Sequence, residues 1–194
     1  MSCCLYNYNS DIFDANKMSD FHKKSYNLGE QEDFTNILIR DGLVLKENNL
    51  SIDIFTNFFK KIQFHLNNTK PLGENEKIKN LESFSNLCNW DNCYGNVKKI
   101  FNGKLIVISE KFMGKFSVSN PCVNCDHKSC NFIFIKDNRE HLKISQLLVH
   151  HITNHGFFHG FESKYRVPPQ SIIDFFNLRP IDYTTNYIEY SYYA

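Results

Sequence analysis

Three cysteines and a histidine fall within residues 120–130, NPCVNCDHKSC. Cys122 and Cys125 form a CxxC. At that spacing two thiolates converge on one metal ion when the backbone makes a tight knuckle, and Pro121 and the polar residues between them suit such a turn. Downstream, VHHITNH carries His150, His151 and His155. On a helix, His151 and His155 are four apart and project from one face. A thiolate pair on a β-turn followed by an imidazole pair on a helix is the order of a Cys₂His₂ zinc site. The expectation is a structural zinc ion held by Cys122, Cys125, His151 and His155.

Other assignments compete. The gap from Cys125 to His151 is about twice the usual one. The intervening NFIFIKDNREHLKI reads as a strand and a turn, so it can extend as a longer hairpin. His150 or Cys130 can replace a ligand, and His127 is a further candidate. Cys88 and Cys93, in LCNWDNC, can join Cys122 and Cys125 in a four-cysteine ribbon. Each residue alone also has a plain structural reading. Free cysteine often fills core volume, and a histidine beside Leu147, Leu148 and Ile152 can be a satisfied, partly buried ring. A redox CxxC normally opens a helix after a strand, where the dipole lowers the thiol pKa. Here a strand follows the motif, which disfavours redox chemistry.

Catalytic readings use the same residues. His151, His155 and His159 recur every four positions and Glu162 follows, and three histidines with an open fourth position is a catalytic zinc pattern. A zinc-protease helix also needs a glutamate directly after its first histidine as general base. Ile152 stands there instead, and Gly156 is expected to end the helix before His159. The region also resembles the ββα-metal (HNH-type) nucleases in having a CxxC, a His-His pair and an asparagine, matched by Cys122, Cys125, His150, His151 and Asn154. That resemblance implies a metal-dependent nuclease as the alternative function. No phosphate-binding glycine loop and no G-x-S-x-G elbow occurs. Lys164 and Arg166, in SKYRVPP, read as part of a surface loop entering a proline-opened helix, with an anion contact as the competing reading.

The chain has 194 residues, a hydrophobic fraction of 42% and a formal net charge of +1. It is long enough to bury a substantial core. A nucleic-acid binder usually shows a basic excess, so a protein partner is expected ahead of nucleic acid, although the basic hairpin VKKIFNGK and the terminal tyrosines suit phosphate contact and base stacking. The start, MSCCLYNYNSDIF, has neither the basic nor the apolar region of a signal peptide. No run approaches a membrane span. The expectation is a soluble protein of the cytoplasm or nucleus, not secreted and not in a membrane, whose seven cysteines are metal ligands or free thiols rather than disulfides. Abundant Asn, Ile, Phe and Lys, with Ala only twice, points to an AT-rich genome, viral, low-GC bacterial or protist.

The elements that must position these groups follow from periodicity. Residues 1–30 read as a loosely ordered arm with one short helix. FTNILIRDGLVLKENN reads as two short strands about the turn Arg40-Asp41-Gly42. SIDIFTNFFKKIQFHL places Ile52, Phe55, Phe58, Phe59, Ile62 and Leu66 at helical spacing, with Ser51 or Asn49 as cap. ENEKIKNLESFSNLC reads as a second amphipathic helix. Asn102-Gly103 between apolar runs is a hairpin signal, and KFMGKFSV alternates as a further strand. Ser145 is the expected N-cap and Gly156 the expected C-cap of QLLVHHITNH. VPPQSIIDFFNL is a proline-opened helix, and residues 180–194 form a candidate final strand. The whole is an α+β protein: a loose arm over 1–30, a mainly helical subdomain over 31–89, and a β-hairpin-plus-helix metal-binding subdomain over 90–194. Residues 112–155 resemble a zinc-finger module in this architectural sense.

Overall fold

The structure is a computed structural model that describes residues 15–24, 26–73, 75, 97–111, 130–136 and 140–180. The helix expected over 74–88 apart from Asn75, the strand expected over 111–118 apart from Lys111, the turn at Asp137-Asn138 and the final strand expected over 180–194 apart from Pro180 lie outside the described residues, as do Cys88, Cys93, Cys122, Cys125 and His127.

Three helices come first: α1 (Ala15–Lys24), α2 (Phe34–Glu47) and α3 (Ile52–Asn68). In α3 the residues Ile54, Phe55, Phe58, Phe59, Ile62 and Leu66 are buried, the apolar face that its 3.6-residue period dictates. Ser51 occupies the N-cap position without a side-chain cap bond.

Residues 34–47 form one helix, not the two strands the sequence suggested. Phe34, Ile37, Asp41 and Leu45 are its buried positions, spaced three and four apart. Asp33 caps it by accepting from Asn36 N at 2.9 Å. Gly42, the supposed turn residue, is exposed on the helix surface with open space around it, where glycine costs about 1 kcal/mol relative to alanine. Burial of the flanking residues outweighs that cost.

Four antiparallel strands follow in the order β1-β2-β3-β4: β1 (Val97–Ile100), β2 (Leu105–Lys111), β3 (Cys130–Lys136) and β4 (His141–Ser145). The first connection is the expected hairpin, with Phe101, Asn102 and Gly103 all at positive φ. Strand alternation divides the side chains between two faces. Leu105, Val107, Phe134 and Ile144 point to the helices, where they join α3 in the main core. Val97, Ile108, Ile133 and Ile135 form a second buried cluster with Leu72 and Ile106. The two faces of this pattern are fixed by register: Val107 pairs with Phe134 and Ile108 with Ile133.

Helix α4 (Gln146–His155) follows β4 directly, and α5 (Pro169–Phe176) closes the described chain. Phe176 of α5 lies 4.6 Å from Phe58 and 5.2 Å from Phe134 between ring centres, so α5 seals the layer between α3 and the sheet. The fold is mixed α+β, as expected, with apolar residues from both sides of Asn89 in one core.

Candidate functional site

Helix α4 presents the histidines because its ends are well fixed. The Ser145 hydroxyl accepts from Leu148 N at 3.0 Å, satisfying one orphan donor of the first turn. Gly156 ends the helix in the left-handed region at φ 64°, and its N–H donates to Ile152 O at 3.0 Å, a C-cap that glycine adopts without strain. Both caps are the residues expected from sequence.

Past Gly156 the chain folds back on the helix. Phe157 and Phe158 are fully buried. His159 sits at φ 68°, a conformation rare for a residue with a Cβ. Its ring thereby returns to His151: His151 Nδ1 and His159 Nε2 are 2.8 Å apart, and both side chains are 0% exposed. His22 of α1 completes the arrangement. Its ring stacks on Phe34 at 5.1 Å, lies 4.5 Å from Phe157, and meets the His151 ring edge-on at 5.2 Å.

The remaining two histidines of α4 lie to one side. Asn154 Nδ2 donates to His150 Nδ1 at 2.7 Å. The His155 ring is half-buried and lies 6.1 Å from that of His151 and 5.6 Å from that of His150. The structure therefore brings His151 against His159 and His22 more closely than against His155.

The return loop is tied to residues 26–33. Gly160 N donates to Asn27 O at 2.7 Å. The Glu32 carboxylate accepts from Gly29 N and Phe161 N, each at 2.6 Å, and from Glu162 N at 3.4 Å. Gly160 suits this close approach, since a Cβ there would meet the Glu32 carboxylate and lie 3.0 Å from Leu28 Cα. Arg166 is not a surface cation. Its side chain is 7% exposed and forms a two-pronged ion pair with Asp41 of α2, Nη2 to Oδ1 at 2.5 Å and Nη1 to Oδ2 at 3.0 Å. Nη1 also donates to the carbonyl of His159. The surface-loop reading holds for the exposed Lys164 but fails at Arg166, because Asp41, itself 2% exposed, needs a counter-charge in the interior.

Burial sets the electrostatics of the cluster. It lowers His22 to about 4, with the charge of His155 adding to the effect. It lowers His159 to about 3, helped by His22 and Arg166. His151 is held well below the usual histidine range by burial first, then by His159 and its other histidine neighbours. Burial also lowers His155. These rings are neutral at pH 7, the state in which imidazole has a lone pair to give.

The His151–His159 bond uses one N–H and one bare nitrogen. The outer atoms, His151 Nε2 and His159 Nδ1, are buried with no hydrogen-bond partner among the described residues. Among the described residues no three His, Cys, Asp or Glu side chains converge on one metal position; the cysteines of the expected CxxC lie outside them. Cys130 opens β3, with its Cα opposite that of Lys111.

The sequence grouped His151, His155 and His159 as a three-histidine pattern but did not indicate the direct His151–His159 hydrogen bond or the approach of His22. The four-residue recurrence of 151, 155 and 159 was the available signal for His159. For His22 the sequence offers none, because α1 is distant and polar. No family model matches this chain, and neither a curated protein nor a solved structure matches it. Among the described residues no helix is long and apolar enough to cross a membrane.

Proposed function

We propose that this chain is a small binding protein whose interior is fastened by a structural zinc ion, and that it acts through contact with another protein. The ligands in this reading are Cys122, Cys125, His151 and His155. The observation that carries it is the buried Nε2 of His151, which has no hydrogen-bond partner among the described residues on a ring that burial keeps neutral. A buried polar atom left without a partner costs about 1–3 kcal/mol, and coordination would remove that cost. Zinc with thiolate and imidazole ligands is the usual closed, structural combination.

The outer face of α2 supports a protein contact. Ile39 and Leu43, one helical turn apart, are 58% and 52% exposed. Phe161, 48% exposed, lies between the guanidinium groups of Arg40 and Arg166, at 4.7 and 4.3 Å. Exposed apolar and aromatic groups bracketed by arginine are typical of protein interfaces. A nucleic-acid contact is the lesser variant of the same reading.

A ββα-metal nuclease is the second reading, favoured by the order β3-β4-α4. It requires an imidazole open to substrate and solvent, whereas His151 is 0% exposed. A nuclease assay with Mg²⁺, Mn²⁺ or Zn²⁺ on plasmid and single-stranded DNA decides it: cleavage abolished by His151→Ala in a folded variant would establish the enzyme.

The structural-zinc reading is tested with Cys122→Ser. Zinc retention should fall and the thermal midpoint should drop, because the binding energy of a structural ion is folding energy. A variant with unchanged midpoint and unchanged response to chelator would refute it.

A further inference from the structure

We propose that His159 is a positioning residue for a metal ligand: it accepts a hydrogen bond from His151 Nδ1–H and so leaves His151 Nε2 bare and aimed. The inference rests on the metal reading above but concerns a residue that reading does not use. A neutral imidazole carries one N–H and one lone pair, and the hydrogen bond made by one nitrogen decides which is which. His151 Nδ1 faces His159 Nε2 at 2.8 Å, so the only nitrogen of His151 able to face a metal is Nε2. That nitrogen is buried and without a hydrogen-bond partner among the described residues. For Nε2 to coordinate, the proton must sit on Nδ1, and His159 Nε2 is then its acceptor. Metal-bound histidines are commonly held in this way by a second group, which fixes both the tautomer and the ring plane.

Three independent features place His159 for this task. Its backbone is held at φ 68°, in the left-handed region that a residue with a Cβ rarely adopts. Such strain in a non-glycine residue persists where the surroundings impose it. The surroundings here are specific: Arg166 binds the His159 carbonyl, and Asn27 O accepts from the next residue's N–H. His159 is also 0% exposed, so its ring is shielded from water, the competing partner.

The test uses the full chain, with zinc as the probe. In the metal-free protein, nitrogen-15 NMR of the histidine rings should find the His151 proton on Nδ1. His159→Leu removes the acceptor and should weaken zinc binding about 10–100-fold. His159→Gln, whose amide oxygen can reach the position of Nε2, should restore most of that loss. A His151 proton on Nε2, or zinc affinity unchanged in a folded His159→Leu, would overturn the inference while leaving the zinc reading intact. Failure of the wild-type chain to bind zinc would overturn the zinc reading itself. Should His159→Leu fail to fold, the tautomer of wild-type His151 decides alone.

Discussion

Removing the charge of Arg166 while keeping its bulk tests how the return loop is held. In Arg166→Met, the Asp41 carboxylate stays in the interior, its side chain 3% exposed, having lost contacts at 2.5 and 3.0 Å. Breaking a buried pair by deleting one partner costs about 3–5 kcal/mol when the remaining charge is left uncompensated; Asp41 would keep only the weaker attraction of Arg40. For a chain of this size each kcal/mol lowers the midpoint by about 2–4 °C, giving a drop of about 6–20 °C. The loss should depend on pH. Burial already raises the Asp41 carboxyl, and hydrogen bonding and charge from Arg166 work against that rise; without Arg166 it rises further. A carboxyl with a raised folded-state pKa stabilises the fold below its unfolded pKa and loses that contribution as pH rises through the folded value. The deficit of Arg166→Met relative to wild type should therefore be largest at neutral pH and shrink on acidification. Asp41→Leu combined with Arg166→Met removes both charges and should recover most of the loss. Urea denaturation of wild type and these two variants at pH 7 and pH 5, with thermal melts at pH 7, measures all of this. A single-variant loss below about 1 kcal/mol, the range of exposed pairs, or a deficit that grows as pH falls, would refute the reasoning.

Other outcomes follow from the same geometry. In metal-free protein, His22 has its folded-state pKa lowered to about 4 from 6.5, so the unfolded chain binds more protons between those values. Stability should be complete above pH 6.5 and fall as pH drops towards 4. His22→Phe, in a pocket already lined by Phe34 and Phe157, should lessen that dependence in urea titrations from pH 7 to 4, with the part due to His151, His155 and His159 remaining. Gly160→Ala should cost about 1–3 kcal/mol by urea denaturation, since the added Cβ meets Leu28 backbone and the Glu32 carboxylate.

The parts of this fold that were legible in sequence are those decided by neighbours a few positions away. The apolar period of α3, the Asn102-Gly103 turn, and the Ser145 and Gly156 caps are all of this kind, and the structure has them. Helix α2 was misread because Arg40-Asp41-Gly42 has the composition of a turn. Burial of Phe34, Ile37 and Leu45 along one face overrides it, and the charge of Arg166, 125 positions away, makes a buried Asp41 tolerable in mid-helix. The histidine cluster divides in the same manner. The face shared by His151 and His155 is a local property of a helix. The approach of His159 depends on a strained backbone angle and on the tie from Glu32 to Phe161 N, 129 positions apart. His22 enters only because α1 packs across α2, a contact with no short-range signature.

The metal content of the chain is the measurement that bears most directly on this account. Protein purified without added metal, then dialysed and analysed for zinc, should contain close to one zinc per chain. Removal by a strong chelator should lower its thermal midpoint, and readdition should restore it. Less than about 0.2 mol of zinc per mol, with a midpoint indifferent to chelator and to added zinc, would contradict a structural ion and leave the buried histidines as neutral packing groups.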